Sequence, residues 1–173
     1  MRLRTLALVA GLYLSTLPMM ADTVYSYTGK HYTSASLPYT TADSIIGSLT
    51  ISAPLGDNLT LAAVNPSAFS FSDGVETFNG GNTPTSTFLF STDASGNISG
   101  WLVAFIDSSG DELSSIKIGG TTDSVLNNVG GASNVGDPGV WSATVVPKPS
   151  SLALMGTGVL GLVGVGRRRL GRG

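Results

Sequence analysis

The chain has no cysteine, one histidine, and only 12% charged residues among its 173. Without thiols there is no disulfide framework, no thiolate nucleophile and no thiolate metal site. With a single imidazole, His31, a histidine metal cluster is excluded and a Ser-His-Asp triad has only one candidate base. No Gly-x-Ser-x-Gly elbow sets a serine beside it, so His31 reads as an exposed loop or strand-end residue. No enzymatic activity, catalytic residue or cofactor is expected. Amphipathic periodicity of helical length is missing as well, which argues against an α-helical body.

Basic residues are scarce in the body. Seven of the nine, Arg2, Arg4, Lys148, Arg167, Arg168, Arg169 and Arg172, fall in the first and last segments. Between Thr23 and Pro147 only Lys30 and Lys117 stand against ten acids, a formal charge of 2 − 10 = −8. Such a surface cannot neutralise a row of phosphates, so no nucleic-acid partner is expected. The acidity reads instead as solubility outside the cell.

What is present begins with the two flanking segments. Met1 to Ala21 has a basic start (Arg2, Arg4), an apolar centre (Leu6 to Leu14) and a cleavage region ending at Ala21, the order of a secretory signal peptide. Residues 147–173 read PKPSSLALMGTGVLGLVGVGRRRLGRG: a proline pair, an uncharged run, then an arginine cluster. The span 150–166 is 17 residues, roughly 25 Å of helix at about 1.5 Å per residue, short for a hydrocarbon core about 30 Å thick. Its five glycines weaken the helix further, so the anchor is expected to be marginal. By the positive-inside rule Arg167, Arg168 and Arg169 stay cytoplasmic as the membrane stop, and the preceding domain lies on the other side. The alternative for each segment is a buried terminal helix.

Between these segments, residues 22–146 read as one extracytoplasmic β domain, long enough to hold by its core alone. Short apolar or alternating runs recur between Gly, Asn and Asp turns: Val24–Tyr27, Ile45–Ser52 (interrupted by Gly47), Leu59–Val64, Ala68–Ser72, Thr87–Ser91, Ile98–Asp107, Leu113–Ile118 and Val140–Val145. That pattern predicts an all-β domain, an antiparallel β-sandwich or jelly-roll-like barrel, flanked by the signal helix and a short C-terminal transmembrane helix. Phe88-Leu89-Phe90 and Trp101–Phe105 should pair across Ser95-Gly96-Asn97, and Trp101–Ile106 with Leu113–Ile118 across Ser108-Ser109-Gly110. Phe88, Phe90, Trp101, Val103 and Phe105 are the expected core. Gly119 to Gly139, with six glycines, is expected to be a long loop.

Three groups carry weaker chemistry. Asp93 to Asn97 offers oxygens at alternate positions but lacks the acidic run and bidentate glutamate of a calcium loop, so a hairpin turn is the better reading. Asp107, Asp111 and Glu112 flank a turn and form a candidate weak Ca²⁺ site; no dedicated metal site is expected. Tyr25, Tyr27, Tyr32, Tyr39 and Trp141 could stack on sugar rings, against the alternative that they form a core face.

The tail resembles a PEP-CTERM sorting domain, the tripartite C-terminal signal that exosortases process in Gram-negative bacteria secreting exopolysaccharide. Its matching parts are Pro147 and Pro149, the run from Leu152 onward, and Arg167-Arg168-Arg169. Lys148 stands where the family carries glutamate, reversing the charge at the recognition point. The body is more weakly similar to small PEP-CTERM proteins in Phe69–Gly74 and Phe90–Trp101. The resemblance implies an exported, non-catalytic cell-surface or matrix protein, held in the inner membrane until an exosortase-type enzyme processes it, with exopolysaccharide as a candidate partner. The competing reading is a carbohydrate- or Ca²⁺-binding module acting on exopolysaccharide.

Overall fold

A computed structural model of the chain describes residues 21–147. Twelve strands run in order: β1 Asp22–Thr28, β2 Ser34–Ala35, β3 Ile46–Ile51, β4 Ala62–Ala63, β5 Ala68–Ser72, β6 Thr77–Asn79, β7 Thr85–Thr92, β8 Ile98–Ile106, β9 Glu112–Ile116, β10 Thr122–Leu126, β11 Gly131–Val135 and β12 Val140–Val146. They form two sheets, β12-β1-β3-β5-β6 and β2-β11-β10-β9-β8-β7-β4, in which every pairing is antiparallel. The all-β expectation is met. Among the described residues no helix is long and apolar enough to cross a membrane. The signal helix and the 150–166 span lie outside the described residues.

Period-two alternation decides which side chains face inward. Phe88 and Phe90 of β7, Trp101, Val103 and Phe105 of β8, and Leu113 of β9 are all buried, as expected from their spacing. Tyr25 and Tyr27 of β1, Leu49 and Ile51 of β3 and Phe71 of β5 meet them from the other sheet. Phe105 is the hub: its ring centroid lies 5.1 Å from those of Phe69 and Phe71, 5.4 Å from Phe88 and 6.0 Å from Phe78. Tyr27 packs on Trp101 at 5.7 Å and on Trp141 at 5.1 Å. Each ring removed from water contributes about 1.5–3 kcal/mol, so this aromatic layer is the main attraction between the sheets.

The two expected hairpins are present, with Phe88 opposite Val103, Phe90 opposite Trp101, and Phe105 opposite Leu113. Gly47 does not interrupt β3: it sits opposite Phe71, whose ring lies over the space a Cβ would need. Two expectations are corrected. The stretch 119–139 is not a loop but contains β10 and β11, joined by a turn in which Asn127 Oδ1 accepts the Val129 and Gly130 N–H groups. The run Leu59–Val64 yields only the two residues of β4, because Asn58 and Leu61 adopt φ of 53° and 47°, left-handed values that break an extended chain.

Candidate functional site: a three-carboxylate corner

Four tight turns converge at one corner. The β5–β6 turn is shaped by Asp73, whose Oδ1 accepts the N–H groups of Val75 (2.8 Å) and Glu76 (2.6 Å) and whose Oδ2 accepts the Tyr39 hydroxyl (3.0 Å). In the β8–β9 turn, Asp107 Oδ1 accepts from Ser109 N (2.7 Å) and Asp111 N (2.9 Å). The β10–β11 turn joins through Asn128 N, which donates to Asp111 Oδ1 at 3.2 Å, and the β6–β7 turn through Ser108 N donating to Asn82 O at 3.0 Å. Short Asp- and Asn-rich turns favour this local capping, which is why the sequence places acids there.

The result brings Glu76, Asp107 and Asp111 together, with one carboxylate oxygen from each within 4.8 Å of the others. Glu76 and Asp107 are half-buried and Asp111 is 6% exposed. Two ionised carboxylates at that spacing repel by about 3 kcal/mol at an effective dielectric of about 20. The cluster relieves this by holding a proton or by binding a cation. Burial first, then the charge of Asp111 and a hydrogen bond with it, push the Glu76 carboxyl above its ordinary range; Asp73 and Asp107 add to the rise. An oxygen-only, acidic, partly dry corner is the chemistry that suits a hard cation such as Ca²⁺.

Asp107 and Asp111 were legible as a pair, but Glu112 is not their third member. It is the exposed first residue of β9, and as Asp111's neighbour it points to the opposite face. Glu76 takes that place from another hairpin. No local signal marks it, because only the pairing of β5 with β6 brings it there.

A second polar constellation lies within the core. Tyr27 Oη donates to both carboxylate oxygens of Asp123 at 2.8 Å, and accepts the Gly139 N–H at 2.7 Å. Ser115, directly opposite Asp123 in the ladder, accepts the Trp101 indole N–H at 2.8 Å. Burial raises the Asp123 carboxyl above the usual carboxylate range, while hydrogen bonds from Ser115 and Tyr27 pull it back. Burial, then the Asp123 charge, pushes the Tyr27 hydroxyl far above its ordinary value. The space is so tight that a Cβ on Gly29 would come within 2.8 Å of Asp123 Oδ2, and one on Gly139 would strike Thr28. This network ties the two sheets together, joining Tyr27 of β1 to Asp123 of β10.

The remaining candidates resolve as follows. Asp93 Oδ1 accepts from Ser95 N and Asn97 N at 2.8 and 3.0 Å, which is the expected hairpin turn. His31 is exposed, and its imidazole makes no hydrogen bond among the described residues, so no triad is assembled around it. Tyr25, Tyr27, Tyr32 and Tyr39 are at most 4% exposed, so they form the core face and present no ring to a sugar. Trp141 is half-buried against Tyr27. A groove of about 300 Å³ between the β4–β5 loop and β7, lined by Val64, Asn65, Pro66, Phe69, Thr87 and Phe88, carries no charged group. Ala21 and Pro147 sit at the two limits of the described residues, while Lys148, Pro149, Arg167, Arg168 and Arg169 lie outside them. Compared with protein-family models, with curated proteins and with solved structures, the chain matches none.

Proposed function

We propose that this is an exported, non-catalytic cell-surface or extracellular-matrix protein, sorted through its PEP-CTERM-like tail and linked to exopolysaccharide. The observation that carries the reading is the order of parts in residues 147–173: Pro147-Lys148-Pro149, an uncharged 150–166 span, then Arg167-Arg168-Arg169. The segment 1–21, with cleavage at Ala21, supplies export; the tail supplies a weak inner-membrane hold until an exosortase-type enzyme releases the domain. A β-sandwich stitched by hydroxyl and carboxylate groups, without thiols, suits life outside the cell, where thiol–disulfide exchange then cannot change it. Intact-mass measurement on protein recovered from its native cells tests this. The expected mass is that of a chain beginning near Asp22 and lacking the arginine cluster. A cytoplasmic form retaining both Met1 and Arg172 overturns the reading.

The three-carboxylate corner favours a second reading, a weak Ca²⁺-binding module. Extracellular calcium modules work at about 10⁻⁴–10⁻³ M. Millimolar Ca²⁺ should raise the melting temperature by a few degrees, and Glu76→Gln should remove that rise. A melting temperature indifferent to Ca²⁺ in both forms rejects it.

A further inference from the structure

We propose that β12 is an interaction edge, and that its partner is the same strand of a second copy of this chain, added antiparallel to join two five-stranded sheets into one. Four strands end the two sheets: β2, β4, β6 and β12. Natural sheets keep their edges short, charged or interrupted by proline, because an unpaired row of N–H and C=O groups templates further pairing. Three of the four edges obey, with two, two and three residues. β12 does not. It has seven residues, Val140-Trp141-Ser142-Ala143-Thr144-Val145-Val146, with no charge, proline or glycine.

Burial shows that the core stops one strand early. On the inner face of β1, Thr23, Tyr25 and Tyr27 are 1%, 4% and 2% exposed. Their partners in β12 are Val145, Ala143 and Trp141. Val145 is 56% exposed and Ala143 is exposed; only Trp141 reaches the aromatic layer. On the outer face Val140 and Val146 are 64% and 44% exposed. This strand carries aliphatic side chains on both faces yet lies largely in water.

Two features select a second copy as the occupant. The first is self-complementarity. A two-fold axis through Ala143 sets Val140 opposite Val146, Trp141 opposite Val145, and Ser142 opposite Thr144. Aliphatic then meets aliphatic, hydroxyl meets hydroxyl, and each exposed Val145 gains an indole neighbour, the matching that an isologous contact requires. The second is charge. Thr23 to Pro147 carry a formal charge of −8, yet residues 138–147 carry none, so two copies meet there without opposing acids on that strand. The chain's own continuation is a poor occupant, since Pro147 and Pro149 lack the N–H groups a returning strand needs.

The test is the mass of the full chain in detergent solution by sedimentation, with variants at two exposed positions. Ser142→Lys with Thr144→Lys places two lysine pairs face to face across the axis and should weaken the dimer at least tenfold. Ser142→Lys with Thr144→Glu places opposite charges face to face and should restore it. Because the chain has no cysteine, Ala143→Cys gives a clean second readout: mild oxidation should link copies through it, and should not link them through Thr77→Cys on the short edge β6. Melting curves confirm that each variant is folded. A monomeric parent chain at about 100 µM, or a dimer that survives the double-lysine change, overturns the proposal.

Discussion

The molecule buries acids in two places and treats them in opposite ways. Asp123 is fully enclosed; the Tyr27 hydroxyl reaches both its oxygens, and Ser115 adds a second donor. At the corner, Glu76, Asp107 and Asp111 face one another, and backbone donors serve only part of the oxygen available. The first site is closed and belongs to the architecture. The second has charge to spare and responds to whatever solvent offers. A domain with two lysines must solve burial of carboxylates with hydroxyls, backbone N–H groups, protons or metal ions, and Asp123 uses the hydroxyls of Tyr27 and Ser115.

The largest expected effect falls on the closed site. Tyr27→Phe keeps the ring among Trp101 and Trp141 but strips Asp123 of its main donor and leaves the Gly139 N–H unpaired. Chemical denaturation should show a loss of about 2–3 kcal/mol. A loss below about 0.5 kcal/mol would mean that Asp123 is satisfied without it. A smaller and opposite effect is expected at the corner. Glu76→Gln removes one of three mutually repelling charges and should stabilise the domain by about 1 kcal/mol at neutral pH without Ca²⁺.

The two sites also set the slope of stability with pH. Glu76 and Asp123 both hold protons above the ordinary carboxylate range in the fold. Over that window the folded chain binds more protons than the unfolded one, so stability is greatest at its acid end and falls as pH rises through it. Melting temperature should therefore decline as pH rises above the ordinary carboxylate range of about 4, and Asp123→Asn or Glu76→Gln should each flatten the decline. Asp93 acts in the other direction: the side chain of Asn97, then backbone N–H groups, hold it below its usual value, so its contribution is lost only as pH falls below the ordinary range.

Much of the fold was legible because the strands from Thr85 to Ile116 put apolar side chains inward at every second position, and no long-range information is needed to see that. β10 and β11 hid for a physical reason. Two of their four inward side chains, Asp123 and Asn134, are polar, and the glycines around them look like loop. A strand whose inner face carries a carboxylate is readable only once the tyrosine that partners it is known, and Tyr27 is 96 residues away. The corner was half legible for the same reason. Asp107 and Asp111 share one turn, whereas Glu76 arrives through a hairpin whose position depends on sheet order, and alternation turns Glu112 away.

The pairing of the first strand with the last has a mechanical consequence. Asp22 stands opposite Val146, and the ladder runs on from there to Thr28 and Val140. The domain is thus entered and left at the same end rung of a single ladder. A pull separating those two ends loads the rungs one after another, as a zipper is opened, and does not shear all seven together. The seam joining the strands yields at low force, while the aromatic layer behind it stays packed until Tyr27 and Trp141 part.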